Sequence, residues 1–231
     1  VNPIDVSSVE STTILTAEQV AKIPVPRNIT SVALLAPGTV RGATNAGFGA
    51  LPSFGGSSVA ENQYYVNGFN ITNTFKNLNF GQVPFEAIAE QQIKTGGYGA
   101  EFGRSTGGVV NLVTKRGTNE FHAGGNLFIT PSSLASNNPN IYSNGGRNAF
   151  TGANDPVALL TNNTADELGT QTTGAIWASG ALIQDRLFGY ALVQYGRRSG
   201  AEAYGGVSAA TTNELSNKSP TWLVKLDWNI S

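Results

Sequence analysis

The sequence predicts a mainly β protein in which a small α+β N-terminal part precedes longer antiparallel strands. Three observations carry this prediction. Glycine accounts for 28 of the 231 residues, and charged residues for only 13 %, where about 25 % is usual in a soluble domain. Capping residues mark two short helices near the N-terminus. Beyond residue 120, several segments alternate apolar and polar side chains, as strands with two different faces do.

The composition excludes several classes of protein. The 14 basic and 15 acidic residues balance, so the chain lacks the positive footprint of a nucleic-acid-binding protein. Because cysteine is absent, there is no disulfide, thiolate nucleophile or thiolate metal site. The single histidine, His122, leaves little basis for metal or acid–base chemistry, and we expect it to be a hydrogen-bonded interior residue. The sequence therefore predicts neither a metal site nor a cofactor.

The first 40 residues contain two helix signals. Thr16 and Gln19 have the spacing of a capping box, which predicts a helix over residues 17–22 that ends before Pro24. Asn28 is placed to cap a second helix that runs to Leu35. Both helices are expected to be short because turn residues follow them closely.

The next part of the chain alternates between long loops and short strands. Residues 41–63 and 69–82 are rich in Gly, Asn and Phe, and both are predicted to be loops. Strands are predicted at residues 63–67, 88–94 and 109–115. Asn67-Gly68 should turn the first of them, and Pro84 should begin a short helical turn.

Four strands are predicted in the second half, at residues 121–129, 174–183, 187–196 and 221–230. In the last strand, apolar side chains share one face, with Trp222 and Trp228 near its ends and Lys225 and Asp227 on the other face. The predicted connections run long, short, long. This pattern is typical of outer-membrane β-barrels, which it favours, but it also fits a soluble β-sandwich.

Three segments carry a resemblance to a known family. Residues 16–38 (TAEQVAKIPVPRNITSVALLAPG), 64–70 (YYVNGFN) and 84–121 together resemble the plug domain of TonB-dependent outer-membrane receptors. The most specific piece is residues 98–118, with its order YGAEFG, GGVVN, TKRGT. The residue pattern of these segments is most similar to that of the Oar-like subgroup. Residues 178–198 and 225–230 resemble that subgroup's early barrel strands.

The resemblance implies a fold and a location. Residues 1–119 would form an α+β plug domain, and residues 120–231 the first four or so strands of an incomplete antiparallel transmembrane β-barrel with two long extracellular loops. The family's barrel has about 22 strands, so we expect this chain to be part of a longer receptor in the outer membrane of a Gram-negative bacterium. No TonB-box segment is evident before Ile4.

The resemblance also implies partners and a function. The partners would be TonB with its inner-membrane energising complex, the lipid of the outer membrane and an extracellular substrate, without nucleic acid. Substrate would bind on the apices of the plug before energised passage through the barrel. The alternative is a surface adhesion or structural protein that keeps the barrel but lacks energised transport.

Plug apices meet the ligand in this family, which points to the two predicted loops. The expected substrate-binding residues are Arg41, Phe48, Phe54, Asn62, Phe75, Asn77, Asn79 and Phe80. Phenyl rings with amides suit a peptide or a saccharide. The alternative is that these side chains pack within the plug. A second group of charged residues is expected to hold the plug against a polar barrel wall: Glu101, Arg104, Lys115 and Arg116.

One motif suggests an enzyme and is set aside. Gly103-Arg-Ser105-Thr-Gly107 matches G-x-S-x-G, the nucleophile elbow, which needs a strand before it and a helix after it. The residues that follow, 109–114, are rich in β-branched side chains and predict a strand. The sequence therefore predicts no enzymatic activity.

Overall fold

The computed structural model describes residues 10–42, 51–75, 78, 80–134, 136, 141–142, 160–162, 169–204 and 211–230. The chain divides into two compact units. The first comprises Val1–Asn119, Ala181–Tyr190 and Lys225–Ser231, and the second Glu120–Gly180 and Ala191–Val224. Within the described residues, no helix has the length and apolar character needed to cross a membrane.

A five-stranded sheet with two helices forms most of the first unit. Its strands lie in the order β1-β6-β7-β4-β5; β4 and β7 are parallel, and the other neighbours are antiparallel. A separate hairpin pairs β2 with β3. The bounds are β1 Ser11–Thr16, α1 Ala17–Lys22, α2 Ile29–Ala33, β2 Thr39–Arg41, β3 Pro52–Phe54, β4 Gln63–Val66, β5 Phe69–Asn70, β6 Ile88–Gly96 and β7 Val109–Thr114.

The capping residues act as predicted. The Thr16 hydroxyl accepts a hydrogen bond from the Gln19 amide, and the Gln19 side chain accepts one from the Thr16 amide, so the capping box of α1 is confirmed. The Asn28 side chain accepts from the Ser31 amide at 2.7 Å and caps α2. The second helix is shorter than predicted, because it ends at Ala33 and a turn follows.

The predicted loops contain more structure than expected. Residues 41–63 include β3 and a 3-10 turn at Val59–Glu61, and residues 69–82 begin with β5. The Asn67-Gly68 turn between β4 and β5 is confirmed, with φ of 48° and 84°, the positive values that a two-residue hairpin requires. A strand of two or three residues is too short to show an alternating pattern, so the sequence did not reveal β3 or β5.

The core of the first unit lies between the sheet and α2. Its central side chains are Tyr64, Ile93, Val110 and Leu112, all inaccessible to solvent, and Ala33 of α2 packs with them. Apolar burial of this kind is the main stabilising term of a small domain.

Four long strands form a second sheet, in the order β13-β12-β11-β8. Their bounds are β8 His122–Thr130, β11 Gly169–Ile183, β12 Leu187–Tyr204 and β13 Thr211–Trp228, with a small pair, β9 Ile141–Tyr142 and β10 Leu160–Asn162, between the first two. All four predicted strands are present. However, β12 and β13 continue through most of residues 198–219, where a polar loop was predicted. Backbone pairing in a hairpin does not require apolar side chains, so polarity alone did not mark the strand ends.

The alternation predicted for β13 is confirmed. Trp222, Val224, Leu226 and Trp228 are each more than half exposed, whereas Lys225 is half-buried. From Trp222 to Trp228, one face of this strand is therefore apolar and exposed. His122 at the start of β8 is exposed in this open sheet and lies 3.5 Å from the Glu120 carboxylate. Its predicted position on the inner face of a closed barrel stays a prediction.

Candidate functional site

A pocket of about 570 Å³ lies beside the β2–β3 hairpin in the first unit. Pairing of Val40 with Ser53 and of Arg41 with Pro52 builds its wall. The Gly42 amide donates to the Leu51 carbonyl at 2.9 Å and continues the pairing. We call this cavity the hairpin pocket; its lining residues are Val40, Arg41, Gly42, Ser53, Gly56, Ser57, Ser58, Val59, Ala60 and Leu78.

The turn that lines the pocket is held by its own side chains. The Ser58 hydroxyl accepts from the Ala60 amide, and the Glu61 carboxylate accepts from the Ser58 amide at 3.1 Å. The Ser53 hydroxyl donates to the Ser57 carbonyl at 2.6 Å and ties the hairpin to this turn. The backbone of the pocket is therefore fixed by the protein itself.

Asn62 joins the pocket to the centre of the sheet. Its side chain is fully buried; Nδ2 donates to the Pro52 carbonyl at 2.6 Å, and Oδ1 accepts from the Gly108 amide at 3.1 Å. The Gly107 amide donates to the Glu61 carbonyl at 3.2 Å. The side-chain amide of Asn62, next to the 3-10 turn, thus connects β3 with the start of β7.

Ser105 takes part in the same connection. Its Oγ lies within hydrogen-bond distance of the Glu61 and Gly108 carbonyls, and the Tyr98 hydroxyl lies 3.0 Å from it. The residues after it form the strand β7, not the helix that a nucleophile elbow requires. The geometry gives Ser105 the role of a structural hydroxyl that fastens residues 98–108.

The predicted substrate-binding residues fall into three groups. Arg41 lines the hairpin pocket and is exposed, as is Phe75. Phe54, at 2 % exposure, and Asn62 are buried, while Phe80 is half-buried and stacks on Tyr64 with ring centroids 4.2 Å apart. The other three, Phe48, Asn77 and Asn79, lie outside the described residues.

Most residues of the hairpin pocket were not predicted from the sequence. Ser53, Ser57, Ser58 and Leu78 line it but were not singled out. One signal was available, because Ser58 and Glu61 have capping-box spacing within a predicted loop.

Of the four charged residues predicted to contact a barrel wall, three are exposed: Glu101, Arg104 and Arg116. Lys115 is half-buried, and burial lowers the pKa of its amine, while the nearby Glu86 carboxylate acts in the opposite direction. Glu86 is itself buried and lies 2.7 Å from the Arg27 guanidinium. Lys115 therefore belongs to a charged cluster on the helix side of the sheet.

That cluster borders a second cavity of about 650 Å³, between the two helices and β6. The Gln91 side chain, which donates to the Ile29 carbonyl at 2.9 Å, lines it together with Leu15 and Val20. Among the described residues, no group of three or more histidine and carboxylate side chains is placed to hold a metal ion.

Comparison with known proteins defines the class to which this fold corresponds. Residues 5–110 match the family model described as TonB-dependent Receptor Plug Domain. Residues 5–110 are thus similar to plug domains and are followed by antiparallel strands, and the resemblance seen in the motifs is confirmed.

A particular relative is the TonB-dependent transporter Oar of Myxococcus xanthus. It is 39 % identical to this chain over 140 residues, which are 58 % of this chain and 12 % of Oar. The chain therefore spans only a small part of the relative that it matches.

Solved structures share the fold at low sequence identity. The outer-membrane transporter YddB of Escherichia coli matches with a TM-score of 0.68 and 18 % identity, over 95 % of this chain and 31 % of YddB. A mutant ferric enterobactin receptor of Pseudomonas aeruginosa, in complex with enterobactin, matches with a TM-score of 0.61 and 16 % identity, over 97 % and 31 % of the two chains. These matches show that the fold extends across the four long strands.

Proposed function

We propose that this chain is the plug and first barrel strands of an outer-membrane TonB-dependent transporter, which binds substrate on the plug and passes it through the barrel. The plug-domain match over residues 5–110 carries the proposal, and the similarity to Oar supports it. We assign residues 1–119 to the plug and residues 120–231 to the barrel.

The membrane location is argued from the long strands. The exposed apolar face of β13 has tryptophan near both ends, the arrangement that lipid-facing strands of outer-membrane barrels adopt. In a soluble protein such a face would be covered by other apolar groups. We therefore propose that this face contacts the lipid of a bacterial outer membrane.

Substrate binding is assigned to the hairpin pocket and the neighbouring predicted loops. Arg41 and Phe75 are exposed and are proposed to contact substrate, together with Phe48, Asn77 and Asn79 on the basis of their sequence positions. Phe54 and Asn62 are buried, so their proposed contribution is to hold the pocket in shape. The exposed Glu101, Arg104 and Arg116 are proposed to meet the polar inner wall of a complete barrel.

Energy is proposed to come from TonB, acting on the N-terminal end of the plug. Pairing of an added strand with a partner's sheet is a general mode of peptide recognition, and it would let TonB hold that end firmly. The proton gradient would then rearrange the plug. No step of this process breaks or makes a covalent bond in the substrate.

The test measures whether the plug opens in living cells. Residues 1–231 contain no cysteine. Any cysteine elsewhere in the full-length protein is first replaced by serine, and Ile93→Cys then places one thiol at a fully buried position on β6. Cells in their native growth medium are treated with a biotin-linked maleimide. Energised transport predicts that labelling is fast with TonB and a proton gradient, and slow after deletion of TonB or addition of an uncoupler.

A paired-cysteine variant serves as the control. Ile14 and Gln92 are register partners across β1 and β6, so a disulfide between cysteines at these positions should hold the two strands together. While this disulfide is intact, labelling of Ile93→Cys should stay slow even with TonB and a proton gradient. Equally slow labelling under all conditions, in a protein correctly inserted in the outer membrane, would refute energised transport and favour the adhesion or structural alternative.

A further inference from the structure

We propose that the hairpin pocket selects substrates that carry a free carboxylate on a partly apolar body, and that Arg41 recognises the carboxylate. This inference rests on the proposed function, since it names the substrate class for the same site. Three observations support it. They are the net positive charge of residues 41–82, the hydrogen bond that already engages the Glu61 carboxylate, and the polar and apolar side chains that line the pocket.

The charge balance of this part of the chain differs from the rest. Residues 41–82 contain two basic side chains, Arg41 and Lys76, and one acidic side chain, Glu61. The remainder has 14 − 2 = 12 basic and 15 − 1 = 14 acidic residues. The segment that holds the hairpin pocket is therefore net positive in a chain that is otherwise net negative. Such an excess attracts anionic ligands.

The acidic side chain of this segment is already engaged. The Glu61 carboxylate accepts a hydrogen bond from the Ser58 amide as part of the 3-10 turn, and it does not line the pocket. Among the described residues, no carboxylate lies within ion-pair distance of Arg41. An acidic group brought by a ligand would therefore meet a guanidinium without an internal competitor.

The pocket lining matches such a ligand. A guanidinium presents N–H groups in a planar fork that fits the two oxygens of a carboxylate. Ser53, Ser57 and Ser58 add neutral hydroxyl groups near the same wall, and Val40, which is 58 % exposed, offers an apolar surface with Leu78. A volume of about 570 Å³ lies within the ~300–1,000 Å³ of small-ligand pockets.

The test compares two peptides that differ by one charge. The full-length receptor in detergent micelles is titrated by calorimetry with N-acetyl-Phe-Ala-Phe as the free acid and as its C-terminal amide. Because a hydrogen bond to a charged group contributes about 1.5 kcal/mol, we expect the acid to bind about tenfold more tightly than the amide. In Arg41→Gln this preference should disappear, and in Arg41→Lys it should be reduced.

A matched control separates local recognition from overall charge. Lys22→Gln removes one positive charge from the exposed end of α1, and it should keep the tenfold preference. Because Arg41 is exposed, its replacement should leave the amide exchange of residues 58–66 unchanged, which verifies the fold.

Three outcomes would overturn the inference. They are equal binding of acid and amide by the wild-type receptor, a preference that persists in Arg41→Gln, and no measurable binding of the free acid at millimolar concentration. The labelling of Ile93→Cys decides the proposed function separately. A receptor that opens with the proton gradient but ignores the peptide charge would retain that function and lose only this substrate class.

Discussion

Replacement of Asn62 by alanine should loosen the hairpin pocket from the sheet. The change removes both hydrogen bonds of the buried amide, to the Pro52 carbonyl at 2.6 Å and from the Gly108 amide at 3.1 Å. Each backbone group is then left without that partner, which costs about 1–3 kcal/mol. Since the two losses share one site and are not additive, we expect about 2–4 kcal/mol in total.

Amide hydrogen exchange measures this loss without unfolding the barrel. If exchange proceeds through local opening, protection falls tenfold for each ~1.4 kcal/mol. Protection of residues 105–114 in the full-length receptor should therefore fall by about 30- to 700-fold. The control is Asn73→Ala, in which an exposed side chain loses its hydrogen bond with the Phe75 amide at 2.9 Å; its effect on these residues should stay within about threefold.

One result would refute the reasoning. If Asn62→Ala and Asn73→Ala alter the protection of residues 105–114 equally, the buried amide does not hold the pocket to β7. The contacts of Ser105 with the Glu61 and Gly108 carbonyls would then be sufficient for that connection.

Two further predictions concern packing and pH. A methyl group at Gly108 would lie 2.3 Å from the Phe54 ring, so Gly108→Ala should destabilise the plug by about 1–3 kcal/mol. Gly103→Ala, whose nearest neighbour is a carbonyl at 3.8 Å, should change stability by less than about 0.5 kcal/mol in the same exchange assay; equal effects would contradict the packing argument. The ion pair with Lys94 lowers the pKa of Glu10 from its ordinary value of 4.5. The stability that this ion pair adds to the folded protein is therefore complete above pH 4.5, the ordinary pKa of the unfolded chain. It is lost as the pH falls through the lower folded-state pKa. Exchange of β1 amides, corrected for intrinsic rates, should accelerate over that range in the wild type but not in Glu10→Gln; a parallel response of the two proteins would show that the pair does not hold β1.

Local signals in the sequence predicted the elements that depend on local interactions. The capping box at Thr16 and the Asn67-Gly68 turn involve residues at most three positions apart, and both are present. The strands β6 and β7 were also predicted, because each is long enough to show its character. By contrast, β3 has three residues and pairs with β2 across ten intervening residues. Its position depends on a tertiary contact that no local pattern reveals.

The candidate site was predicted only in part for the same reason. Arg41 was expected to bind substrate and lines the hairpin pocket. Phe54 and Asn62 were expected to do so as well, but they point into the core. Which side chain of a loop faces solvent depends on the hairpin register, and in the observed register Phe54 pairs with Thr39 and is buried against Gly108.

The strand order of the five-stranded sheet has a mechanical consequence. The first strand of the chain, β1, lies at one edge, and β4 and β5 lie at the other, with β6 and β7 between them. A pull on the N-terminus therefore peels β1 from β6 before it loads any bond that supports the hairpin pocket. The edge of the sheet next to the pocket keeps its parallel β4–β7 pairing during that first step. Under the function proposed above, this strand order would let a path open at the β1 edge before a substrate leaves the pocket at the other edge.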